Sequence, residues 1–438
     1  MRTLMVLFIA LALTTFGCQR DNESTPPPVA TSAVPDTAHP EPPPTAPEVT
    51  DPSALLEFAS LAIPQWRALN NEQPTLVLIS QDPFLQLIPE SRHEAAATLV
   101  RNGSAEELRR HAAPDRPDPH LLPSQVLRAA LDAGFFSRVI WILPTKESPQ
   151  TLDVEIFRRQ LFDSGLLDEQ EVQTLAADPR GFRLTLAGIP LEAVVPGHFP
   201  EISGPVALHV DLGFFQALYR NEVKSPVFEL MRETLSELPM EDLDLRAATL
   251  SMGQGEGRVS VDMRFLGHRL ARIFTEPGML TRPQPRAWHE HGDILYLATF
   301  LEMDRVLETA REAAARWTDD APLQFELYRA LRTRRAGSEA LEALARTVAL
   351  DPGYAVEYLN LAALARTREL PDQELRMLEM AAAEDSRNPF LPLRMAEVYL
   401  ELGKALEAAE LLRELADLPW SEVHYPWIPQ YIASLMED

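Results

Sequence analysis

The sequence predicts an α/β domain, built on a mostly parallel sheet with an edge hairpin, followed by an all-α domain of helical repeats. Three observations carry that expectation. Between about residues 51 and 286, short apolar runs rich in β-branched residues alternate with amphipathic runs. From 287 to 438 strand patterns vanish, and Ala, Leu and Glu dominate at helical spacing. Inside that second part the pattern returns at a constant step, so that Leu359, Ala362, Ala365, Leu378 and Ala381 correspond to Leu393, Ala396, Tyr399, Leu412 and Leu415.

Composition limits the function. The 438 residues are 46% hydrophobic and 24% charged, enough for a sizeable core. Forty Lys and Arg stand against 65 Asp and Glu, and the resulting charge of −25 repels phosphate backbones, which excludes nucleic acid as a partner. Cys18 is the only cysteine, so an intrachain disulfide, a cysteine-based zinc site and a CxxC redox pair are excluded.

The chain begins with a short positive segment, Met1-Arg2-Thr3, and an unbroken apolar run of ten residues from Leu4 to Leu13, the pattern of a secretory signal and too short to span a bilayer. The run ends in Thr15-Phe16-Gly17-Cys18, which resembles the bacterial lipobox, with Thr15 where that motif usually has Leu. The resemblance implies a signal peptide over 1–17 and an acylated Cys18 as the mature N-terminus, joined to the membrane by its acyl chains. Gln19 in place of Asp implies the outer membrane of a Gram-negative cell, facing the periplasm. Residues 18–50 follow as a disordered tether: from Ser24 to Thr50 every third residue on average is proline, and the stretch has no Gly, aromatic, Lys or Arg. At about 3.1 Å per residue in polyproline II, such a segment reaches roughly 80 Å.

In the α/β part, Thr75 to Ser80, Arg138 to Leu143 and Val206 to Leu212 are continuous apolar runs bounded by Pro or Gly, as buried parallel strands require. Helices are expected from Ser124 to Ala133, from Leu152 to Asp163, after Asp168 with Glu171 completing a capping box, and from Ser225-Pro226 to about Leu238. Arg258, Ser260, Asp262 and Arg264 alternate with Val259, Val261, Met263 and Phe265, which reads as a half-exposed strand paired with Leu245 to Met252 across the Gly253–Gly257 connection. The pairs among Arg92, His93 and Glu94 read as an exposed helix surface, and His289-Glu290-His291 as a solvated boundary between domains.

One segment suggests chemistry. In His209-Val210-Asp211-Leu212-Gly213-Phe214-Phe215 the alternation puts His209, Asp211 and Gly213 on one side of a strand end, where open α/β sheets bind ligands. The segment is similar to the strand end of arginase- and deacetylase-like domains, which implies a divalent metal that activates water. Asp211, and Asp82 at the end of the first strand, are the matching positions. Gly213 stands where the pattern has a second carboxylate, so the implied site is degenerate and no cofactor is expected. His209 and Asp211 hydrogen-bonded to each other is the alternative. No GxSxG, HExxH or GxxxxGK[ST] motif occurs.

The constant step, helix pairs ending at Asp351-Pro352, Asn388-Pro389 and Leu418-Pro419, and small residues at close helix contacts resemble the tetratricopeptide repeat, whose period is about 34 residues. Ala396, Tyr399, Gly403, Ala408 and Leu412 occupy that family's positions in the best copy; the preceding copy keeps Ala362 but has Glu369 at the turn glycine. Trp420 to Met436 reads as a capping helix. The resemblance implies a surface for a peptide or partner protein, and 15 basic against 28 acidic residues from Trp288 onward favour a basic or neutral ligand. Alternatively, the repeats brace the α/β domain. The leading expectation is thus a membrane-anchored lipoprotein serving as a protein-binding scaffold. A metal-dependent amide-bond hydrolase and a non-catalytic binder of a small cell-envelope ligand are the alternatives.

Overall fold

The computed structural model describes residues 55–218, 227–236, 243–253 and 259–437. The signal segment, Cys18, the tether, the Ser225-Pro226 helix start and the 254–258 connection lie outside the described residues. No helix among those described is long and apolar enough to cross a membrane.

Eight strands, β1 (Leu55–Leu56), β2 (Thr75–Ile79), β3 (Arg138–Ile142), β4 (Ala176–Asp178), β5 (Gly181–Leu186), β6 (Ile189–Val194), β7 (Pro205–Asp211) and β8 (Asp244–Ser251), form one sheet in the order β1-β8-β7-β2-β3-β6-β5-β4. All neighbours from β1 to β6 in that order pair in parallel; β5 and β4 are antiparallel additions at one edge. The three continuous apolar runs are the adjacent centre of the sheet, because only strands covered on both faces bury every side chain.

One face is covered by α1 (Ile63–Ala68), α2 (His93–Asn102), α3 (Ala105–His111), α4 (Val126–Asp132), α5 (Val154–Asp163) and α6 (Glu169–Gln173). Asp168 caps α6 in a capping box with Glu171, as its spacing predicts. The other face meets α7 (Gly213–Leu218), α8 (Val227–Ser236) and α9 (Arg264–Thr275), through Phe214, Met231 and Phe265 among others.

The edge hairpin is real but is made by other residues. After β8, Val261–Met263 form a 3-10 turn and Arg264 opens α9, so the expected strand 258–265 does not form in its described part. The alternation misled because Arg264 and Arg269 face carboxylates in the interior instead of water, leaving Phe265, Leu266, Leu270 and Ile273 as a helical stripe. The hairpin is β5–β6, turning at Ala187 and Gly188 with φ of 50° and 79°, the two successive positive values of a type I′ turn.

From Arg286 the chain is helical: α10 (Arg286–Thr299), α11 (Met303–Arg316), α12 (Ala321–Thr333), α13 (Gly337–Leu350), α14 (Val356–Thr367), α15 (Pro371–Glu384), α16 (Phe390–Glu401), α17 (Ala405–Ala416) and α18 (Ile428–Glu437). Their period is strict. The second helices of four successive hairpins start at Met303, Gly337, Pro371 and Ala405, the same step each time. The residues closing the first helices, Leu301, Arg335, Glu369 and Gly403, keep that step and all have φ between 56° and 70°. A left-handed residue there ends a helix and turns the chain. His289-Glu290-His291 is therefore no boundary loop. It lies in α10, where His291 is fully buried against Phe265 and Glu326, and Glu290 accepts from Trp317 Nε1 at 2.9 Å.

The helical array supplies much of the second layer of the sheet. The core that begins with Val77, Ile140 and Leu208 runs without interruption through Leu266 and Ile294 to Val398. Four loops along one edge of the array are pinned to the α/β part. Asp320 accepts both Nη groups of Arg269, at 2.9 and 3.2 Å. Asp351 accepts Nε and Nη2 of Arg264, at 2.5 and 2.8 Å. Asp385 pairs with Arg116 at 3.3 Å. Ser421 accepts from Arg92 at 2.8 Å and donates its N–H to Pro117 O at 2.8 Å. Arg92 thus belongs to a tertiary contact and not to an exposed helix surface.

Candidate functional site

In this strand order the chain leaves β2 toward β3 and leaves β7 toward β8, so the topological switch lies between β2 and β7. Open α/β sheets place ligands at the carboxyl ends of such strands. Asp82 follows β2 there, Asp211 ends β7, and His209 stands two residues earlier on the same side. The structure therefore brings the three sequence-predicted side chains into one region.

Their surroundings are dry and hydrogen-bonded. His209 Nδ1 lies 2.8 Å from Thr249 Oγ1, and Nε2 lies 3.1 Å from Ser251 Oγ. Ser251 Oγ is also 2.7 Å from Asp211 Oδ2, while Asp211 Oδ1 accepts the Gly213 N–H at 3.0 Å. The alternative of a direct bond between His209 and Asp211 gives way to a bridge through Ser251. Trp66 and Phe84 meet the His209 ring edge-on, at 5.4 and 5.8 Å.

Burial sets the protonation of this cluster. It lowers His209 to about 3, keeping the imidazole neutral. It lifts Asp211 to about 7, against hydrogen bonds from Ser251 and Gly213 and with a smaller contribution from the Asp82 charge. It lifts Asp82 to about 6, opposed by the Phe84 N–H. The Thr249 hydroxyl donates to Leu208 O at 3.2 Å, so Nδ1 of the neutral ring is the donor toward Thr249 and Nε2 the acceptor facing Ser251. One serine proton serves either Asp211 or His209. With Asp211 ionised it goes to the carboxylate; with Asp211 protonated it is released to Nε2.

The space a ligand would take is filled by the chain itself. Asp82 Oδ1 accepts the Phe84 N–H at 2.7 Å and holds Phe84 at φ 55°, a costly conformation for an aromatic residue. Phe84 O then accepts the N–H of Leu127 at the start of α4. His209, Asp211 and Asp82 do not fit a divalent metal. Both imidazole nitrogens and both Asp211 oxygens are used within the cluster, and among the described residues no group of three or more His, Cys, Asp or Glu is placed to hold one. On the opposite face of the sheet, at the ends of β2, β3 and β6, Ile79, Ile142, Val195, Pro196, Phe199 and Thr234 enclose a gap of about 10 Å³, room for about one water.

The repeat-defining residues other than the turn glycine Gly403 are packing residues. Ala362, Ala396, Ala408 and Leu412 are buried, letting helices approach, and Tyr399 is half-buried under the Lys404 ammonium, 5.8 Å from its ring. Carboxylates buried in the array are saturated: Glu357 accepts from Tyr328 Oη at 2.6 Å and Asn360 at 2.7 Å, and Glu374 accepts from Arg394 at 2.7 and 3.1 Å. Sequence reasoning missed the arginine clamps. One signal was present, since Asp351 and Asp385 stand one full repeat apart at helix ends. Compared with known proteins, the chain matches no family model and no curated sequence.

Proposed function

We propose that the protein is a bacterial lipoprotein, held by acyl chains on Cys18 at the periplasmic face of the outer membrane, which offers its tetratricopeptide-like array to a partner protein or peptide. The observation that supports the array's role is its strict register: four hairpins at one constant step, turned by left-handed residues at 301, 335, 369 and 403. Clamping at Arg269, Arg264, Arg116 and Arg92 makes the array a stiff ledge, so a ligand meets a surface that needs no ordering. The α/β part is its support in this reading. Detergent-phase partition and acyl labelling of wild type and Cys18→Ala test the anchoring: wild type enters the detergent phase with label, the variant does not, and identical soluble behaviour of the two rejects it.

A second reading, a small cell-envelope ligand bound without turnover, finds little support at the ends of β2, β3 and β6, where the apolar gap between Ile79, Ile142 and Phe199 admits about one water. A flat thermal-shift response to peptidoglycan fragments counts against it. The metal-hydrolase alternative is not favoured by the saturated cluster at His209 and Asp211; stoichiometric manganese or zinc in the full chain, lost in Asp211→Ala, would restore it.

A further inference from the structure

The first hairpin of the array leaves one helix face uncovered. Tyr296 on α10 and Phe300 just past its end are 63% and 56% exposed, their rings 4.8 Å apart, and Leu301 at the following turn is 78% exposed. The repeat register gives this face three internal comparisons. Tyr296 corresponds to Ala330, Leu364 and Val398, of which Ala330 and Val398 are buried and Leu364 half-buried. Asp293, one helical turn earlier and exposed, corresponds to Leu327, Leu361 and Met395, none of them exposed. In the second and fourth copies the first helix packs along the second helix of the preceding hairpin, α12 along α11 and α16 along α15, and Met395, Val398 and Leu402, the fourth copy's counterparts of Asp293, Tyr296 and Phe300, pack into that preceding core, whereas Arg334 and Arg368 at the Phe300 position are exposed.

We infer that the Tyr296, Phe300 and Leu301 face of α10 is a docking site for an amphipathic helix of a partner protein, which takes the place that the preceding hairpin holds in the second and fourth copies. The inference rests on the proposed partner-binding role of the array and names its surface. Register fixes the occupant as a helix lying along α10, with a stripe of small or aliphatic residues. Charge bears on its flank: Glu302 and Asp304 are paired with Arg305 and Arg334 of this chain, and the exposed Asp293 is the carboxylate beside Tyr296 to which a Lys or Arg next to the stripe is complementary. Leu301 adds a further mark. A leucine held at φ 58° is costly where the fourth copy has Gly403, and here it presents an apolar side chain to the patch.

The probe is a labelled, hydrocarbon-stapled peptide of residues 303–316, this chain's own α11, whose Val306 and Ala310 lie on its buried stripe and which carries Arg305, Arg311 and Arg316. Fluorescence anisotropy with the full-length protein is expected to show saturable binding. Phe300→Asp should weaken it ~30-fold, as expected for losing one buried aromatic side chain. Leu301→Gly should weaken binding while raising thermal stability, opposite signs that separate docking from folding. A peptide with Val306→Asp and Ala310→Asp should not bind. Absent binding, or binding unchanged in both protein variants, overturns the inference. So does binding to phosphatidylglycerol-containing vesicles that Phe300→Asp abolishes, which assigns the patch to a bilayer, or a dimer lost in Phe300→Asp, which assigns it to a second copy. Cys18→Ala protein should bind the peptide equally well, so failure of the anchoring test leaves this result standing.

Discussion

Replacing Asp351 by asparagine should loosen the array from the sheet. Asp351 accepts four donors: Arg264 Nε at 2.5 Å, Arg264 Nη2 at 2.8 Å, His268 Nε2 at 2.7 Å and the Gly353 N–H at 2.9 Å. The Arg264 side chain is only 4% exposed, so its charge depends on carboxylates for compensation. Asparagine keeps one acceptor, loses the charge and turns an amide N–H toward the guanidinium. Breaking a buried pair by removing one partner costs about 3–5 kcal/mol. Glu57, 2.7 Å from Nη2 but 46% exposed, offsets part of that, which leaves about 2–3 kcal/mol. Urea unfolding at pH 7 measures the loss, and hydrogen exchange should place it at residues 351–367. Arg264→Met combined with Asp351→Asn should cost less than the sum of the single changes by at least ~1 kcal/mol, because the double variant no longer buries an uncompensated charge. An Asp351→Asn penalty under ~0.5 kcal/mol, or strict additivity, refutes the clamp. Arg264 and His268 hold the Asp351 carboxyl well below the usual range against its burial. A depressed carboxyl stabilises above its unfolded value of 3.8 and loses that contribution as pH falls through the folded value, so the gap between wild type and variant should narrow only below about pH 4.

Three further outcomes follow from other parts of the molecule. Glu369→Gly and Arg335→Gly should each raise stability by about 0.5–1 kcal/mol in thermal unfolding, and Gly403→Ala should lower it by a similar amount, because all three hold positive φ and a Cβ at Gly403 meets no atom within 4 Å. The Asp211 carboxyl, raised by burial to about 7, stabilises most in acid; that contribution declines as pH rises from its unfolded value of 3.8 and is gone above about 7, so Asp211→Asn should lose little at pH 5 and gain relative to wild type at pH 8 in urea melts. Burial lowers His120, which stacks on His111 at 4.3 Å, and His424, both beside Arg92. Their depressed values stabilise the Ser421 contact above 6.5 and lose it as pH falls, so hydrogen exchange of residues 418–428 should accelerate at pH 5 in wild type and not in a His120→Gln, His424→Gln variant.

What the sequence made legible depended on how local the cause was. β2, β3 and β7 were readable because strands covered on both faces need unbroken apolar runs, and the α6 start because Asp168 and Glu171 are three residues apart. The helical period was readable because each hairpin repeats the same local packing. Arg264 was misread because a charge buried by Asp351, 87 residues away, looks like a charge facing water. The β5–β6 hairpin was missed although Phe182, Leu184 and Leu186 are buried and Arg183 and Thr185 exposed; its turn, Ala187-Gly188, lacks the Asn or Asp that marks most such turns. At the candidate site, His209, Asp211 and Asp82 were found because strand ends can be located. Ser251 and Thr249, which complete the cluster, were not, because only the parallel pairing of β7 with β8 sets Ser251 beside Asp211 and Thr249 beside His209.

The clamps and the closed switch point have one consequence in common. An open α/β sheet keeps its ligand crevice by leaving the strand ends bare, and here Phe84, locked by Asp82 and the start of α4, fills that space with hydrocarbon. The sheet also gives much of its second face to the array, through a core continuous from Val77 to Val398. A sheet closed at its switch point and covered on both faces serves to fix the array's orientation, and the arginines along the array's edge complete that fixation. In the proposed reading, recognition falls to the part of the array that faces neither the sheet nor its own neighbours. Among the described residues, the end of α10 meets that condition with two exposed aromatic side chains and a leucine, and the occupant inferred for it follows from the internal period.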